Sequence, residues 1–309
     1  MMSEQERRTI MKKRVLWISL VLTTVGLLFW PSSKLEPQSA DVTLIGAGDI
    51  ADALDFQLSG AVATAGLLAA NPAATVFADG DLSHNDGTDG DIAKSYGPTW
   101  GQFKTRTIPV LGNHEYFTLK ALGYFDYWGP TAGDPTKGYY SLNLGAWHII
   151  VLNSNCGAVG CGKGGAQDKW LLNDLSTHSQ LCTLALWHEP LYTSSSSIAP
   201  NTNVQPFWKE LYSNNVDLII NGHAHNYERF APQDASGNLD PARGIIEIVA
   251  GTGGASHFAF NSTLAPNSLV QDATTYGVVK LTLHQSSFDW QFIPVAGHTF
   301  TDSGTQACH

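Results

Sequence analysis

Two histidines on alternate residues, His223 and His225 in the segment NGHAH, constrain this chain more than any other feature. They follow the apolar run VDLII, which has the length and composition of a buried β-strand. Side chains two residues apart in an extended backbone lie on the same side, so we expect the two imidazoles to converge on one small volume. This spacing at a strand end is typical of metal ligands.

Four other short motifs place metal-binding side chains after apolar, β-rich runs. The motifs are GDI at 48–50, GDLSH at 80–84, GNHE at 112–115 and WHEP at 187–190, and they follow VTLIGA, ATVFAD, TIPVL and TLAL respectively. Open α/β sheets bind their ligands beyond the carboxyl ends of the strands. Five strand ends that carry carboxylate, amide and imidazole groups therefore predict a site that can hold two metal ions.

In this order the motifs resemble those of the calcineurin-like metallophosphoesterases, and among them the purple acid phosphatases and related bacterial alkaline phosphatases. The family blocks read DxG, GDxxY, GNH, VxxH and GHxH, and the resemblance extends from about Asp41 to the C-terminus. It implies an α/β fold with two facing mixed β-sheets flanked by helices, a four-layer sandwich that carries the metals at one edge.

The resemblance also implies which motif side chains bind metal: Asp49, Asp81, Asn113, His188, His223 and His225. Asp81 would bridge the ions, Asp49 and His225 would bind one ion, and the remaining three would bind the other. Oxygen ligands mixed with imidazoles suit iron, zinc or manganese, as a divalent or mixed-valence pair. Two such ions, roughly 3.5 to 4 Å apart, can bridge a hydroxide nucleophile and clamp a phosphate ester.

Several further residues are candidates for substrate contact. Asn113 and His114 would face the substrate, with His114 stabilising the phosphoryl oxygens and protonating the departing alcohol. Glu115 either holds this imidazole or faces solvent. His257, in the Gly-rich segment AGTGGASHF, could also touch substrate, whereas His148 in AWHIIVLN is expected to be a half-buried strand residue rather than a ligand.

Two positions depart from the family pattern. Many calcineurin-like enzymes have a histidine where this chain has Ala51, and purple phosphatases have a tyrosine where it has His84. We therefore expect His84 to be the fourth protein ligand of the first ion; the alternative is that it assists His114. Without a tyrosinate on ferric iron the protein should be colourless, and divalent ions should suffice because imidazole is neutral.

The first 40 residues have the composition of a targeting segment. A basic cluster at 7–14 precedes an uncharged run over 15–30 and Pro31. This pattern predicts a signal peptide or an N-terminal membrane anchor, followed by a catalytic domain over 41–309. The protein is therefore expected outside the cytoplasm, either secreted or attached to the membrane through 15–30.

The cysteines agree with export, and the charge of the exported part bears on its partners. The even set predicts two disulfides, Cys156 with Cys161 and Cys182 with Cys308. The first 40 residues hold six of the 17 basic and three of the 27 acidic residues, so the exported part has 11 basic and 24 acidic side chains. This negative charge argues against nucleic acid as the habitual partner and favours a small phosphorylated substrate.

The leading hypothesis is an exported phosphatase that hydrolyses phosphate monoesters. A phosphodiesterase acting on nucleotides or lipid headgroups is the alternative, and a surface binding protein with a decayed site is a third reading.

Apolar periodicity predicts helices over 51–70, 166–175 and 204–213, and hairpins over 138–153 and 277–295.

Overall fold

The structure is a computed structural model that describes residues 40–52, 58–84 and 86–309, which belong to one compact unit. The predicted signal peptide, or membrane attachment through 15–30, lies outside these residues. In the part of the chain that the structure describes, no helix is both long enough and apolar enough to cross a membrane.

The described residues form fifteen β-strands, named β1 to β15 in chain order. Their bounds are Val42–Ala47, Ala51–Asp52, Thr75–Asp79, Ser83–His84, Thr107–Val110, Tyr140–Leu144, Trp147–Val151, Cys182–Leu186, Leu218–Asn221, Tyr227–Phe230, Ile246–Ala250, Ser268–Asp272, Gly277–Leu283, Ser287–Pro294 and Ser303–Ala307.

Six α-helices, α1 to α6, lie among the same residues: Ser59–Ala69, Asp89–Asp91, Leu122–Trp128, Cys156–Val159, Ala166–Thr177 and Gln205–Ser213. A π-helical turn at Ile92–Tyr96 continues α2. Short 3-10 turns occupy Trp100–Arg106, His114–Phe117, Leu119–Ala121, Gly129–Ala132 and Thr202–Val204.

Two mixed sheets contain most of the strands. The first has the order β15-β14-β13-β1-β3-β5, the second has the order β12-β10-β11-β9-β8-β7-β6, and β2 and β4 form a separate parallel pair. In the first sheet β1, β3 and β5 are parallel, as are β7, β8, β9 and β11 in the second. The carboxyl ends of the parallel strands in each sheet therefore lie side by side.

Both faces of each sheet are covered, which explains why the strands are apolar runs rather than alternating ones. Leu44 of β1 and Ile149 of β7 pack in one cluster between the sheets. Their neighbours Ile45 and Ile150 belong to separate clusters on the outer faces, because successive side chains of a strand point to opposite sides.

Helices cover the two outer faces. Ala61 and Leu68 of α1 pack on the first sheet, while Leu171 of α5 and Phe207 of α6 pack on the second. The layers are thus helix, sheet, sheet and helix, which confirms the predicted fold class.

The predicted helices and hairpins are largely confirmed. The helices over 166–175 and 204–213 correspond to α5 and α6, and the two hairpins correspond to β6–β7 and β13–β14. The prediction over 51–70 is wrong at its start, because Ala51–Asp52 pairs in parallel with Ser83–His84, and α1 begins only at Ser59. Pairing between two site loops overrides helix propensity there.

Both predicted disulfides are present, Cys156–Cys161 and Cys182–Cys308. The second joins the first residue of β8 to the residue after β15, so it ties the two sheets together. It lies at the amino end of β8, opposite the end where the WHEP motif begins.

Replacing Cys182 and Cys308 together by serine should lower the free energy of unfolding by about 5 kcal/mol, because the disulfide closes a loop with a sequence separation of 126. The matched control, Cys156→Ser with Cys161→Ser, opens a separation of only 5 and should cost about 2 kcal/mol by the same relation. Denaturant unfolding without reductant measures both losses. A larger loss for the short loop would contradict the prediction.

Candidate metal centre

The candidate site lies where the carboxyl ends of the parallel strands of the two sheets meet. Hydrogen bonds join the sheets at this edge. The Gly48 N–H donates to the Ala250 carbonyl at 2.9 Å, and His188 Nδ1 lies 2.7 Å from the Asp79 carbonyl oxygen. Loops that follow strands of both sheets therefore share one volume.

Asp49 and Asp81 each use one carboxylate oxygen to fix a neighbouring loop. Asp49 Oδ2 accepts the His223 N–H at 2.7 Å, and Asp81 Oδ1 accepts the His114 N–H at 2.9 Å. The other oxygens, Asp49 Oδ1 and Asp81 Oδ2, are buried and have no hydrogen-bond partner among the described residues. One oxygen of each carboxylate therefore accepts a hydrogen bond from a backbone N–H group, while the other oxygen faces the imidazoles.

Four candidate ligands have left-handed backbone conformations, with φ of 57° at Asp49, 49° at Asp81, 67° at His223 and 48° at His225. Such strain, on the order of 1 kcal/mol or more per residue, is typical of functional sites. It corrects the expectation of an extended backbone, because β9 ends at Asn221 and both histidines lie in tight bends. The two imidazoles consequently turn toward different carboxylates.

Carbonyl groups fix the tautomers of two imidazoles. His188 Nδ1 contacts the Asp79 carbonyl, and His225 Nδ1 contacts the Ser256 carbonyl, both at 2.7 Å. A carbonyl only accepts, so each Nδ1 carries a hydrogen, and each Nε2 is the nitrogen left to take up a metal or a proton. His188 Nε2 faces Asp81 Oδ2 at 3.1 Å, and His225 Nε2 faces Asp49 Oδ1 at 3.2 Å.

The candidate donors form three overlapping groups. Ligand atoms lie within 4.8 Å of one another in Asp49, His84 and His225, in Asp81, His188 and His223, and in Asp81, His84 and His114. The first two groups correspond to the predicted ligand sets of the two ions, and the third contains the pair that the alternative role of His84 requires. Asn113 Oδ1, the predicted amide donor, is buried without a hydrogen-bond partner among the described residues.

The electrostatics of the site favour bound cations. Burial opposes ionisation of Asp81, but His188 and His84 together outweigh it and hold the pKa well below its usual value. Burial also opposes ionisation of Asp49, but His225 and His188 together outweigh it and lower its pKa. His223 remains neutral because burial and the neighbouring His188 lower its pKa to about 4. Ionised carboxylates this deeply buried require cationic partners.

The donor set fits metal ions. Carboxylate oxygens and imidazole nitrogens 3.1 to 3.5 Å apart match the edge of a tetrahedral site, which is about 3.3 Å for bonds of about 2.0 Å. Unpartnered lone pairs that face each other in a buried volume are unfavourable until a proton or a cation lies between them. The residues present are therefore suited to hold the metals that the sequence motifs imply.

A cavity of about 430 Å³ opens onto both groups. The residues that line it are Asp52, Asp81, His84, His114, Ile198, His223, His225, Ala255, Ser256 and Phe258.

Comparison with known proteins assigns the fold and motifs to a family. Residues 42–227 match the family model of the calcineurin-like phosphoesterases. The chain belongs to this family.

Relatives within the family include Purple acid phosphatase 15 and Purple acid phosphatase 23 of Arabidopsis thaliana, 30% identical over 184 residues and 31% over 187 residues. These matches cover 53% and 54% of this chain but only 34% and 40% of the relatives. The solved structure of purple acid phosphatase PPD1 from yellow lupin (Lupinus luteus) seeds superposes with a TM-score of 0.69 at 19% identity, over 87% of this chain and 54% of that one.

His84 lies where this calcineurin-like phosphoesterase departs from the purple phosphatase pattern. Its Nε2 lies 3.5 Å from Asp49 Oδ1 and 3.4 Å from Asp81 Oδ2, and both ring nitrogens are buried without a hydrogen-bond partner among the described residues. The ring also lies 4.5 Å, centroid to centroid, from that of His114. The position of His84 between the two carboxylates suits a metal ligand. Its contact with His114 suits the alternative role, in which His84 assists that residue.

Glu115 fits neither of the two roles that the sequence left open. It is fully buried, so it does not face solvent, and among the described residues its carboxylate bonds to backbone rather than to the His114 imidazole. Its carboxylate instead accepts backbone N–H groups of Gly112 at 2.7 Å, Leu82 at 2.9 Å and Asp81 at 3.0 Å. Burial and the nearby Asp81 charge raise its pKa to about 7. Glu115 thus joins the GDLSH and GNHE loops.

The cavity wall contains residues that the motifs did not predict. Asp52 follows the GDI motif, and Phe258 stacks flat on the His225 ring at 3.9 Å. His257, the predicted substrate contact, stacks on Tyr276 at 4.2 Å, and its neighbours Ser256 and Phe258 line the cavity. The Gly-rich segment was the sequence signal for this part of the wall, and it did not reveal which side chains face inward.

His148 lies in β7, as predicted, but is fully buried rather than half-buried. Its ring nitrogens contact Asp174 Oδ2 at 2.7 Å and Asn143 Oδ1 at 2.8 Å, and its ring stacks on His178. Because α5 covers this side of the strand, these polar contacts compensate for burial of the imidazole.

Glu115→Gln should weaken metal binding about 10- to 100-fold, the usual effect of changing a group that orients metal ligands. The amide turns one acceptor oxygen into a donor that faces a backbone N–H, which displaces the loops of Asp81 and Asn113. Titration with Zn²⁺ or Mn²⁺ measures the affinity, and Glu210→Gln on α6 is the control. Affinity within twofold of the wild type would show that Glu115 does not position the ligands.

Proposed function

We propose that the protein is an exported, metal-dependent phosphatase that hydrolyses phosphate monoesters. The observation that carries this proposal is the pair of buried donor groups, with unpartnered ligand atoms, at the floor of the cavity that His114 lines. The purple acid phosphatase relatives support it. The chain spans only about a third to two fifths of their length.

In this proposal Asp49, His84 and His225 would hold one ion, Asn113, His188 and His223 would hold the other, and Asp81 would contribute to both. Two divalent ions bound there would activate water for attack and neutralise charge on the phosphoryl oxygens. The chemistry of the donors suits iron, zinc or manganese. The protein's own part is to hold these donors rigidly in strained loops.

His114 is the proposed proton donor to the departing alcohol. Its side chain is 24% exposed, and its Nε2 lies 3.7 Å from Asp81 Oδ2. The bond from its N–H to Asp81 Oδ1 fixes the backbone, and its ring packs on Phe117 with centroids 4.7 Å apart. The imidazole thus borders the cavity beside the shared carboxylate, a position from which a general acid can approach a departing oxygen.

Residues 41–309 form the proposed catalytic domain, and we place it outside the cytoplasm. Two disulfides support this location, since such bonds persist mainly in oxidising compartments.

Asn113→Ala and His114→Ala should fail in different ways. Asn113→Ala removes a proposed ligand and should lose metal. His114→Ala should keep both ions but lose roughly 10²- to 10⁴-fold in turnover on alkyl phosphates, and less on activated aryl phosphates, whose leaving groups need less protonation. Metal analysis and kinetics on both ester classes distinguish these outcomes.

Equal losses of His114→Ala on both ester classes would contradict the acid role.

Matched monoesters and diesters test the reaction itself. Faster hydrolysis of diesters would replace the monoesterase proposal with a phosphodiesterase acting on nucleotides or lipid headgroups.

His84→Ala should deplete one metal of the pair, because the first ion would keep only Asp49, Asp81 and His225. His84→Tyr loaded with ferric iron should acquire a visible charge-transfer band, whereas the wild type should be colourless. Metal content and absorption spectra measure both, with the exposed His298→Ala as the control. Two tightly bound metals in His84→Ala, together with slower turnover on poor leaving groups, would favour the role beside His114.

A further inference from the structure

A second cavity, of about 440 Å³, is lined partly by residues that adjoin the metal-site motifs in the chain, and we call it the polar side cavity. Six of the residues that line it have polar side chains: Tyr116, Ser154, Asn155, Glu189, Asn201 and Asn203.

Three connections join the polar side cavity to the metal centre. Glu189 directly follows the proposed ligand His188, and Tyr116 lies two residues after His114. Asn155 donates an Nδ2 hydrogen to the Gly112 carbonyl at 3.1 Å, directly before Asn113. The loops that carry the proposed ligands Asn113 and His188 therefore also contribute to the walls of the polar side cavity.

The walls of the polar side cavity are held by a hydrogen-bond network. Asn201 Nδ2 donates to Glu189 Oε2 at 3.0 Å, and the Glu189 N–H donates to Ser154 Oγ at 3.1 Å. The Cys156–Cys161 disulfide closes the loop that forms one side. Such preorganisation favours binding, because little order has to be imposed when a ligand arrives.

The chemistry of the walls selects the kind of group that fits. Among the described residues that line the polar side cavity, none is a lysine, an arginine or a histidine. A second phosphate would therefore meet a carboxylate without a compensating cation. Amide groups both donate and accept hydrogen bonds, and a carboxylate accepts them from hydroxyls.

We propose that the polar side cavity binds the neutral, hydroxyl-rich alcohol portion of the substrate, so that phosphate monoesters of sugars and other polyols are preferred. This inference rests on the proposed phosphatase function. Glu189 and the asparagines would bond the hydroxyls, and Tyr116 would offer a ring face to the C–H side. The volume lies within the usual range for small-molecule sites.

The test measures kcat/KM of the metal-loaded full chain on glucose 6-phosphate, ethanolamine phosphate and phenyl phosphate. Wild type should favour the sugar phosphate over ethanolamine phosphate. The ratio of kcat/KM for glucose 6-phosphate to that for phenyl phosphate should fall about tenfold in Glu189→Gln and in Asn203→Ala, the effect of losing one or two hydrogen bonds. The exposed Asn214→Ala should leave this ratio unchanged.

Asn203 is exposed, so its variant tests the inference even where Glu189→Gln misfolds. An unchanged ratio in Asn203→Ala, with phenyl phosphate still hydrolysed, overturns the inference and leaves the phosphatase proposal intact. A preference for ethanolamine phosphate that Glu189→Gln abolishes also overturns it, because the cavity then selects a cation. If wild type hydrolyses none of the three esters, the proposed function itself fails.

Discussion

The structure of the site depends on two buried carboxylates that divide their oxygens between backbone and imidazoles. Asp49 fixes the His223 loop of the second sheet, and Asp81 fixes the His114 loop of its own sheet. The remaining oxygen of each carboxylate faces buried imidazole nitrogens. Asp49 therefore links loops of the two sheets, and the two side chains together create the unsatisfied volume that a cation can fill.

The strained backbone at the ligands follows from that arrangement. A left-handed residue is unfavourable by itself, so the surrounding contacts must hold it. Asp81 is held by the Glu115 carboxylate and by the close approach of Gly112, where a Cβ would lie 2.1 Å from Asp81 Oδ1. A buried acid and a missing side chain thus enforce one conformation. A rigid scaffold of this kind keeps the donors in place before any ligand binds.

The two cavities differ in what their walls can recognise. The cavity above the candidate ligands has apolar walls from Ile198 and Phe258, while the polar side cavity offers amides, hydroxyls and the Glu189 carboxylate. In the proposed function the family motifs therefore recognise the phosphate, and largely different segments of the chain recognise the alcohol portion. Apart from Glu189 of the WHEP motif, the residues proposed to meet the alcohol portion lie outside the motifs, in loops whose sequences can vary without disturbing the metal centre.

The sequence by itself determined the strands, the fold class, the disulfide pairs and the set of motif side chains that meet at one edge. The fold class was implied by the resemblance of the motifs to a known family, and the others follow from local patterns, namely apolar runs, the number and positions of the cysteines, and motifs at strand ends. It did not determine the backbone at His223 and His225, the burial of Glu115 or the inward side chains of the Gly-rich segment. Those depend on contacts between segments far apart in the chain, which local periodicity does not encode. Tertiary structure alone decided them, because a carboxylate becomes a loop anchor only when another loop brings N–H groups to it.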